Sequence, residues 1–213
     1  MKQTRWLVVA GGIVVLTTSH FAVAAAGFAT RDLNPILQPI YLPTLAPTSE
    51  DNGWLLAHSL YITNTLQEKS KSGESLVIDA ENYRYELGLS YRKDNWLTQV
   101  NIPFMANKGG ELDGLIDGWH DFFGLPEGDR DDFPKDDINI EYSRDGVVEY
   151  SQDESSSGLG DLSVAIGHQL TDGPAYFVGI ELPTGSESDY SGNEAIDLAI
   201  WVTHEKQIDS EMT

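Results

Sequence analysis

The stretch YRYELGLSYRKDNWLTQVNIPF, residues 83–104, decides the fold. Tyr83, Tyr85, Leu87, Leu89 and Tyr91 take every second position, with Arg84, Glu86, Gly88, Ser90 and Arg92 between them. Successive side chains of a strand point to opposite faces, so this strand has one apolar and one polar face. Lys93-Asp94-Asn95 reads as a three-residue turn, after which Thr98, Val100, Ile102 and Phe104 alternate with Gln99, Asn101 and Pro103. Tyrosines stand at both ends of the first strand, Trp96 stands beside the turn, and leucines fill the middle. Aromatic residues edging an aliphatic centre are the pattern of strands that cross a bilayer. The hairpin predicts an all-β fold, an antiparallel transmembrane β-barrel.

The same period recurs on both sides of it. Trp54, Leu56, Leu60 and Ile62 share a face over residues 54–65, although His58 falls in that register, where a histidine at mid-bilayer is costly. Further on, Leu162, Val164, Ile166 and His168, then Tyr176, Val178, Ile180 and Leu182, then Ile196, Leu198, Ile200 and Val202 repeat the alternation. Each run is about 9 to 11 residues, the span of a tilted membrane strand. Connections alternate between short (93–95, 171–174) and long (67–74, 108–157, 184–193). Outer-membrane barrels have short periplasmic turns and long external loops, whereas a secreted β-sandwich, the competing architecture, needs no such order. The tally is about six membrane strands against the roughly eight of the smallest closed barrels. The barrel is therefore incomplete in this chain: either the chain is a truncated one, or several copies each contribute strands.

The N-terminus predicts the route. Lys2 and Arg5 precede an apolar run over residues 6–16, and Ala22-Val23-Ala24 or Ala24-Ala25-Ala26 offers a small-x-small cleavage site. The run is too short to span a membrane, so residues 1–26 read as a secretory signal peptide, and the expected destination is the bacterial outer membrane by way of the periplasm. Cleavage after Ala26 leaves 34 acids against 11 bases, since Lys2 and Arg5 depart. A formal net charge of -21 argues against nucleic acid as a partner. No cysteine is present, so no disulfide holds the fold.

Residues 27–52 form a Pro-rich segment with Pro35, Pro39, Pro43 and Pro47 four apart, which excludes a helix interior. Two readings are open: a periplasmic tail tethered to the wall, or a plug in the lumen that shelters Leu33, Ile36, Leu37, Ile40, Tyr41 and Leu42. The barrel part, 53–213, contains the long acidic external loop 108–157, with fifteen acids against Lys108, Arg130, Lys135 and Arg144. Within it Leu112, Leu115, Ile116, Trp119 and Phe122 or Phe123 recur at helical spacing and Gly124-Leu125-Pro126 ends the run, predicting one short amphipathic helix. Residues 138–143 and 147–151 flank Arg144-Asp145-Gly146, a hairpin signal.

With the apolar faces on lipid, Arg84, Glu86, Gln99, Asn101, Gln169, Glu181 and Asp197 become the candidate lumen lining. Such a lining suits passive passage of small solutes with a bias toward cations, or else the charges pair inside a non-conducting structural or surface-recognition barrel. The loop helix, with Leu115, Ile116, Trp119, His120 and Phe122, either folds inward to narrow the pore or rests on the outer rim or the nearby hairpin. Asp113, Asp117, His120 and Asp121 project from one side of it, a weak divalent-metal candidate or a solvated face. No cofactor is expected beyond a loosely bound divalent cation. Asp129, Asp131, Asp132, Asp136 and Asp137 form a second acidic cluster, solvated or bridged by divalent cations to lipopolysaccharide, the second expected partner after the lipid bilayer. Catalysis is not expected. A lipid hydrolase would need His120 with Ser143, Ser155 or Ser157, and no nucleophile elbow is present.

Several motifs occur together: Asn34-Pro35 with Gln38 and Leu42-Pro43, the block DGLIDGWHDFFGLP over residues 113–126, and Gly158-Leu159-Gly160-Asp161-Leu162. In these the chain resembles the domain of unknown function numbered 3187, a Gram-negative family. The resemblance implies an outer-membrane barrel, with members longer at the C-terminus and therefore a truncated chain here; it implies no activity and no catalytic residues. Leu182-Pro183-Thr184-Gly185 is similar to a strand end found more widely, including in barrel proteins linked to phenol-degradation pathways.

Overall fold

The computed structural model describes residues 34, 37, 40–43, 52–126, 130, 133–171 and 173–204. The expected signal peptide, most of the Pro-rich segment, and Asp129, Asp131 and Asp132 of the second acidic cluster lie outside them. The described residues form one curled antiparallel sheet and one helix. Two long strands begin it, β1 (Gly53–Lys71) and β2 (Glu74–Lys93), followed by β3 (Trp96–Lys108). Helix α1 (Asp113–Phe123) comes next, then a small hairpin of β4 (Asn139–Arg144) and β5 (Val147–Gln152). The chain returns through β6 (Ser156–Leu159), β7 (Leu162–Gln169), β8 (Ala175–Leu182) and β9 (Asp197–Thr203).

Each of β1, β2, β3, β7, β8 and β9 lies beside the next in sheet order, and their register aligns the sequence pattern into rows. One unbroken row is Leu56, Leu89, Val100, Val164, Ile180 and Leu198; the adjacent row on the same face is Trp54, Tyr91, Thr98, Ile166, Val178 and Ile200. Between them, on the opposite face, run Leu55, Ser90, Gln99, Ala165, Gly179 and Ala199. The apolar rows are the exposed ones: Leu56 is 63% exposed, Leu198 70% and Ile200 78%. Polar side chains of the concave face, among them Arg84, Ser90, Gln99 and Glu181, are buried. Cross-strand neighbours of this kind contribute roughly 0.2–1 kcal/mol per pair, and a slip of one residue would turn every row to the wrong side.

Along β2 the polarity inverts without any break in pairing. From Tyr83 to Tyr91 the odd positions are apolar and face outward, but Leu76, Ile78 and Ala80 are even and face inward. Ile78 and Ala80 pack with Ile138 and Ile140, covered by Leu76, Tyr150 and Tyr190, into a small apolar core. The change of phase falls at Glu81 and Asn82. One end of the sheet is thus built like a water-soluble domain and the other is turned inside out.

Two expectations about connections are corrected. Residues 67–74 are not a loop, because β1 pairs with β2 from Gly53↔Arg92 to Lys71↔Glu74. Only Ser72 (φ 53°) and Gly73 (φ 86°) turn the chain, in the left-handed pair that matches strand twist. Lys69, Ser70 and Lys71 looked loop-like because both faces of the strand are polar there, which a ladder in water tolerates. The turn after β2 holds two residues rather than three, since Lys93 pairs with Trp96. The acidic segment is largely structured, carrying α1, β4, β5 and β6. The predicted helix and the hairpin around Asp145-Gly146 are both present, and Gly124 closes the helix in the left-handed conformation (φ 63°).

Candidate functional site

The concave face carries a cleft lined by Arg84, Glu86, Gln99, Asn101, Glu181 and Trp201, with Asp161 and Ser163 at one end and Tyr41, Leu42 and Pro43 laid across it. Five of the seven candidate lumen residues meet here. Arg84 Nε donates to Glu86 Oε1 at 2.6 Å, and its other arm reaches Met105 Sδ at 3.3 Å. Asn101 Nδ2 lies 3.5 Å from Ser163 Oγ. The remaining two sit at opposite ends of the wall: Gln169 accepts from Arg92 at 3.3 Å near the short turns, and Asp197 accepts from Asn193 at 2.7 Å near the long loops.

Phe177 and Trp201 were not singled out in the sequence, and Tyr41 was named only as an apolar residue in need of shelter. Trp201 stacks on Phe177, centroids 5.1 Å apart and nearly parallel at 6°. A Cβ on Gly179 would stand 2.3 Å from Tyr41 Oη and 3.0 Å from the Trp201 ring, so the absent side chain is what admits both. Of the Pro-rich segment, residues 41–43 therefore lie against the concave face of the sheet.

The rim above the cleft is held by Asp161. Its two carboxylate oxygens accept from Gly185 N (2.8 Å) and Asn193 N (3.0 Å). Thr184 Oγ1 donates to Gly160 O (2.7 Å) and accepts from Leu162 N (2.9 Å), closing the gap between β6 and β7. A Cβ on Gly160 would meet Pro103 at 2.8 Å, so glycine alone lets this strand break approach β3.

On the outer face, α1 is fastened by polar groups. Glu81, fully buried, accepts from Leu112 N at the start of the helix and from Tyr83 Oη at 2.8 Å. Asn64, in register with Glu81, donates to Asp113 Oδ1 (2.9 Å). Arg130 binds Asp113 (2.6 Å), Asp117 (3.3 Å) and the Asn64 amide oxygen (3.2 Å), and Lys135 binds Asp117 (2.5 Å). The hydrogen bond from Lys135, with Arg130 beside it, holds the Asp117 carboxyl below the usual carboxylate range. Burial, with Asp113 and Asp137 nearby, raises Asp79 to about 6 against the pull of Arg130.

This corrects the reading of the helix. Its acidic side is not a solvated face: Asp113 and His120 are buried, and Arg130 and Lys135 take the carboxylates, leaving only Asp121 exposed. Among the described residues no group of three or more His, Asp or Glu side chains is placed to hold a metal ion. The helix does not fold inward, because Asn64 and Glu81 share the outward parity of Ile62 and Tyr83. Nor does its apolar side bury against the hairpin, since Leu115, Trp119 and Phe122 are exposed. Of the serines considered with His120, Ser143 hydrogen-bonds Ser75 across β4 and β2 at 2.6 Å.

Residues 3–213 match the family described as protein of unknown function (DUF3187). The chain belongs to that family. No curated protein and no solved structure matches it. In this DUF3187 member the motifs that fall on described residues from 113 onward are structural joints, while Pro35 and Gln38 lie outside the described residues. The Gly160-Asp161 pair and Thr184-Gly185 are the two halves of the rim lock, and the DGLIDGWHDFFGLP block is the fastened helix with its glycine stop.

Proposed function

We propose that the protein forms part of the wall of an outer-membrane β-barrel that passes small solutes, with a preference for cations. The observation that carries this is the inverted sheet, whose apolar rows face outward and whose charged and amide side chains are buried on the concave face. An outward apolar band with a polar interior is how barrels meet lipid and enclose water. From Tyr83 to Lys93 the strand advances ten residue steps, roughly 33 Å at about 3.3 Å each, or about 25 Å of height at a tilt near 40°, which is the thickness of such a band. The aqueous end then begins at Glu81, where the pattern changes phase. Closure requires further strands on the free edges of β1 and β9, which pair only with β2 and β8 among the described residues.

The inner wall sets the preference. The concave face carries Glu86, Asp161, Glu181 and Asp197 along with Arg84 and Arg92, four carboxylates to two guanidiniums, and an acidic lumen favours cations. A second reading, a plugged barrel that does not conduct, is favoured by Tyr41, Leu42 and Pro43 on the cleft. Single-channel recording of the protein purified from outer membranes separates the two. Conductance with a cation-selective reversal potential, weakened by Glu181→Gln, supports transport, whereas silence across a range of salts removes it.

A further inference from the structure

Helix α1 presents Leu115, Trp119, Phe122 and Phe123 to the outside, 61%, 59%, 80% and 53% exposed. So large an apolar side on an eleven-residue helix is unusual at a water boundary, where such stripes are covered. The fastening explains where it is aimed. Asn64 and Glu81 stand on the outward face one row beyond Ile62 and Tyr83, the last row of the apolar band, so α1 is pinned outside the wall at the band's upper edge. Its polar side is turned inward, and the carboxylates of Asp113 and Asp117 are already paired with Arg130 and Lys135. Little charge has to be desolvated if the other side enters lipid. Tryptophan favours the boundary between headgroups and acyl chains, the level this row marks, and Trp, Phe and Leu together make the apolar face of helices that lie there.

We infer that α1 is an interfacial foot, a helix lying in the outer leaflet with Trp119 and Phe122 inserted at headgroup depth. The inference rests on the membrane reading above, and it adds a second lipid contact set outside the barrel wall. Its ligand is the lipid surface itself, reached by insertion of apolar side chains rather than by charge.

The absence of cysteine makes the test direct. Single variants Phe122→Cys, Leu115→Cys, Leu89→Cys and Glu149→Cys of the full protein, spin-labelled and reconstituted in lipid vesicles, are probed with oxygen, which enters lipid, and with a nickel chelate, which stays in water. Leu89 reports the band and Glu149 the exposed hairpin. The expected result is nickel access at Phe122 and Leu115 several-fold below that at Glu149, with oxygen access approaching that at Leu89. Nickel access at both helix sites equal to that at Glu149, with Leu89 still in lipid, overturns the foot and leaves the barrel reading intact. Water-like behaviour at Leu89 overturns both. Shielding of Phe122 and Leu115 from both reagents overturns the foot in favour of a covering protein surface.

Discussion

Arg130 reaches Asp113 at 2.6 Å from a separate segment of the same long connection, and the pair is largely buried, with 18% and 8% of the two side chains exposed. That one guanidinium also holds Asp117 and Asn64, so it ties the helix to β1 and to its own following loop. Breaking a buried pair from one side leaves the other charge desolvated and alone, typically at 3–5 kcal/mol. Arg130→Ala is expected to lower the local stability of α1 by about 3 kcal/mol, toward the lower limit because the site is partly wet. Hydrogen exchange over residues 112–124 reads this directly. Adding Asp113→Asn should recover part of the loss; exchange unchanged by Arg130→Ala would remove the strut.

The same network is expected to respond to pH in a stated direction. Asp79 has its carboxyl raised to about 6 in the folded chain from an ordinary 3.8, so between those values the folded state binds more protons than the unfolded. Stability of the end of the sheet that carries Asp79 therefore falls as pH rises from about 4 to about 6, and levels off above. Asp117 works the other way, its contribution persisting at neutral pH and disappearing only in acid below the usual carboxylate range. Asp79→Asn should flatten the profile between about pH 4 and pH 6 and leave the acid limb in place. A wild-type profile that rises over that interval contradicts the assignment.

Much of this was legible because alternation is a local signal. Tyr83, Leu87 and Leu89 announce their face within one strand, and Gly124 announces the helix stop. The fastening of α1 was not legible, since Asn64, Glu81 and Asp113 are far apart in sequence and meet only through pairing of β1 with β2 and the return of the loop. Asp113 and Asp117 read as a solvated or metal-binding face because their cation partners follow on an irregular segment with no period. Lys69 to Lys71 read as a loop because both faces of β1 are polar there and no alternation marks the strand. Asp161 had a signal, its place in a Gly-Leu-Gly-Asp-Leu strand opening, but its role needed the position of Gly185 and Asn193.

Asp161 is expected to be the most sensitive residue of the rim. It is 6% exposed and accepts from two backbone N–H groups of the loop between β8 and β9. A hydrogen bond to a charged group is worth roughly 1.5–3 kcal/mol, and buried donors left without an acceptor are costly. Asp161→Ala should destabilise this rim by about 2–4 kcal/mol, with the shorter loss in Asp161→Asn, which keeps one acceptor. Protease cleavage within residues 184–196 of the otherwise folded protein is the readout. Equal resistance in the wild type and both variants would mean that the loop is held by other contacts.

Tyr41 and Gly179 supply the test of what the N-terminal segment does. The Tyr41 hydroxyl occupies the space a side chain on Gly179 would need, and Leu42 and Pro43 follow it across Arg84, Glu86 and Glu181. If this segment obstructs the lumen, removing its anchor should open it. Tyr41→Ala takes away the ring; Gly179→Ala leaves the ring intact but puts a methyl where it rests, so two unlike substitutions should raise conductance alike. Gly88→Ala, on the same wall but beside Asn101 and Ala57, serves as the control and should leave conductance at the wild-type level or slightly below. Planar-bilayer recording of the four proteins at one salt concentration decides it. Tyr41→Ala no more conductive than the wild type would mean that the segment lies along the wall without blocking it.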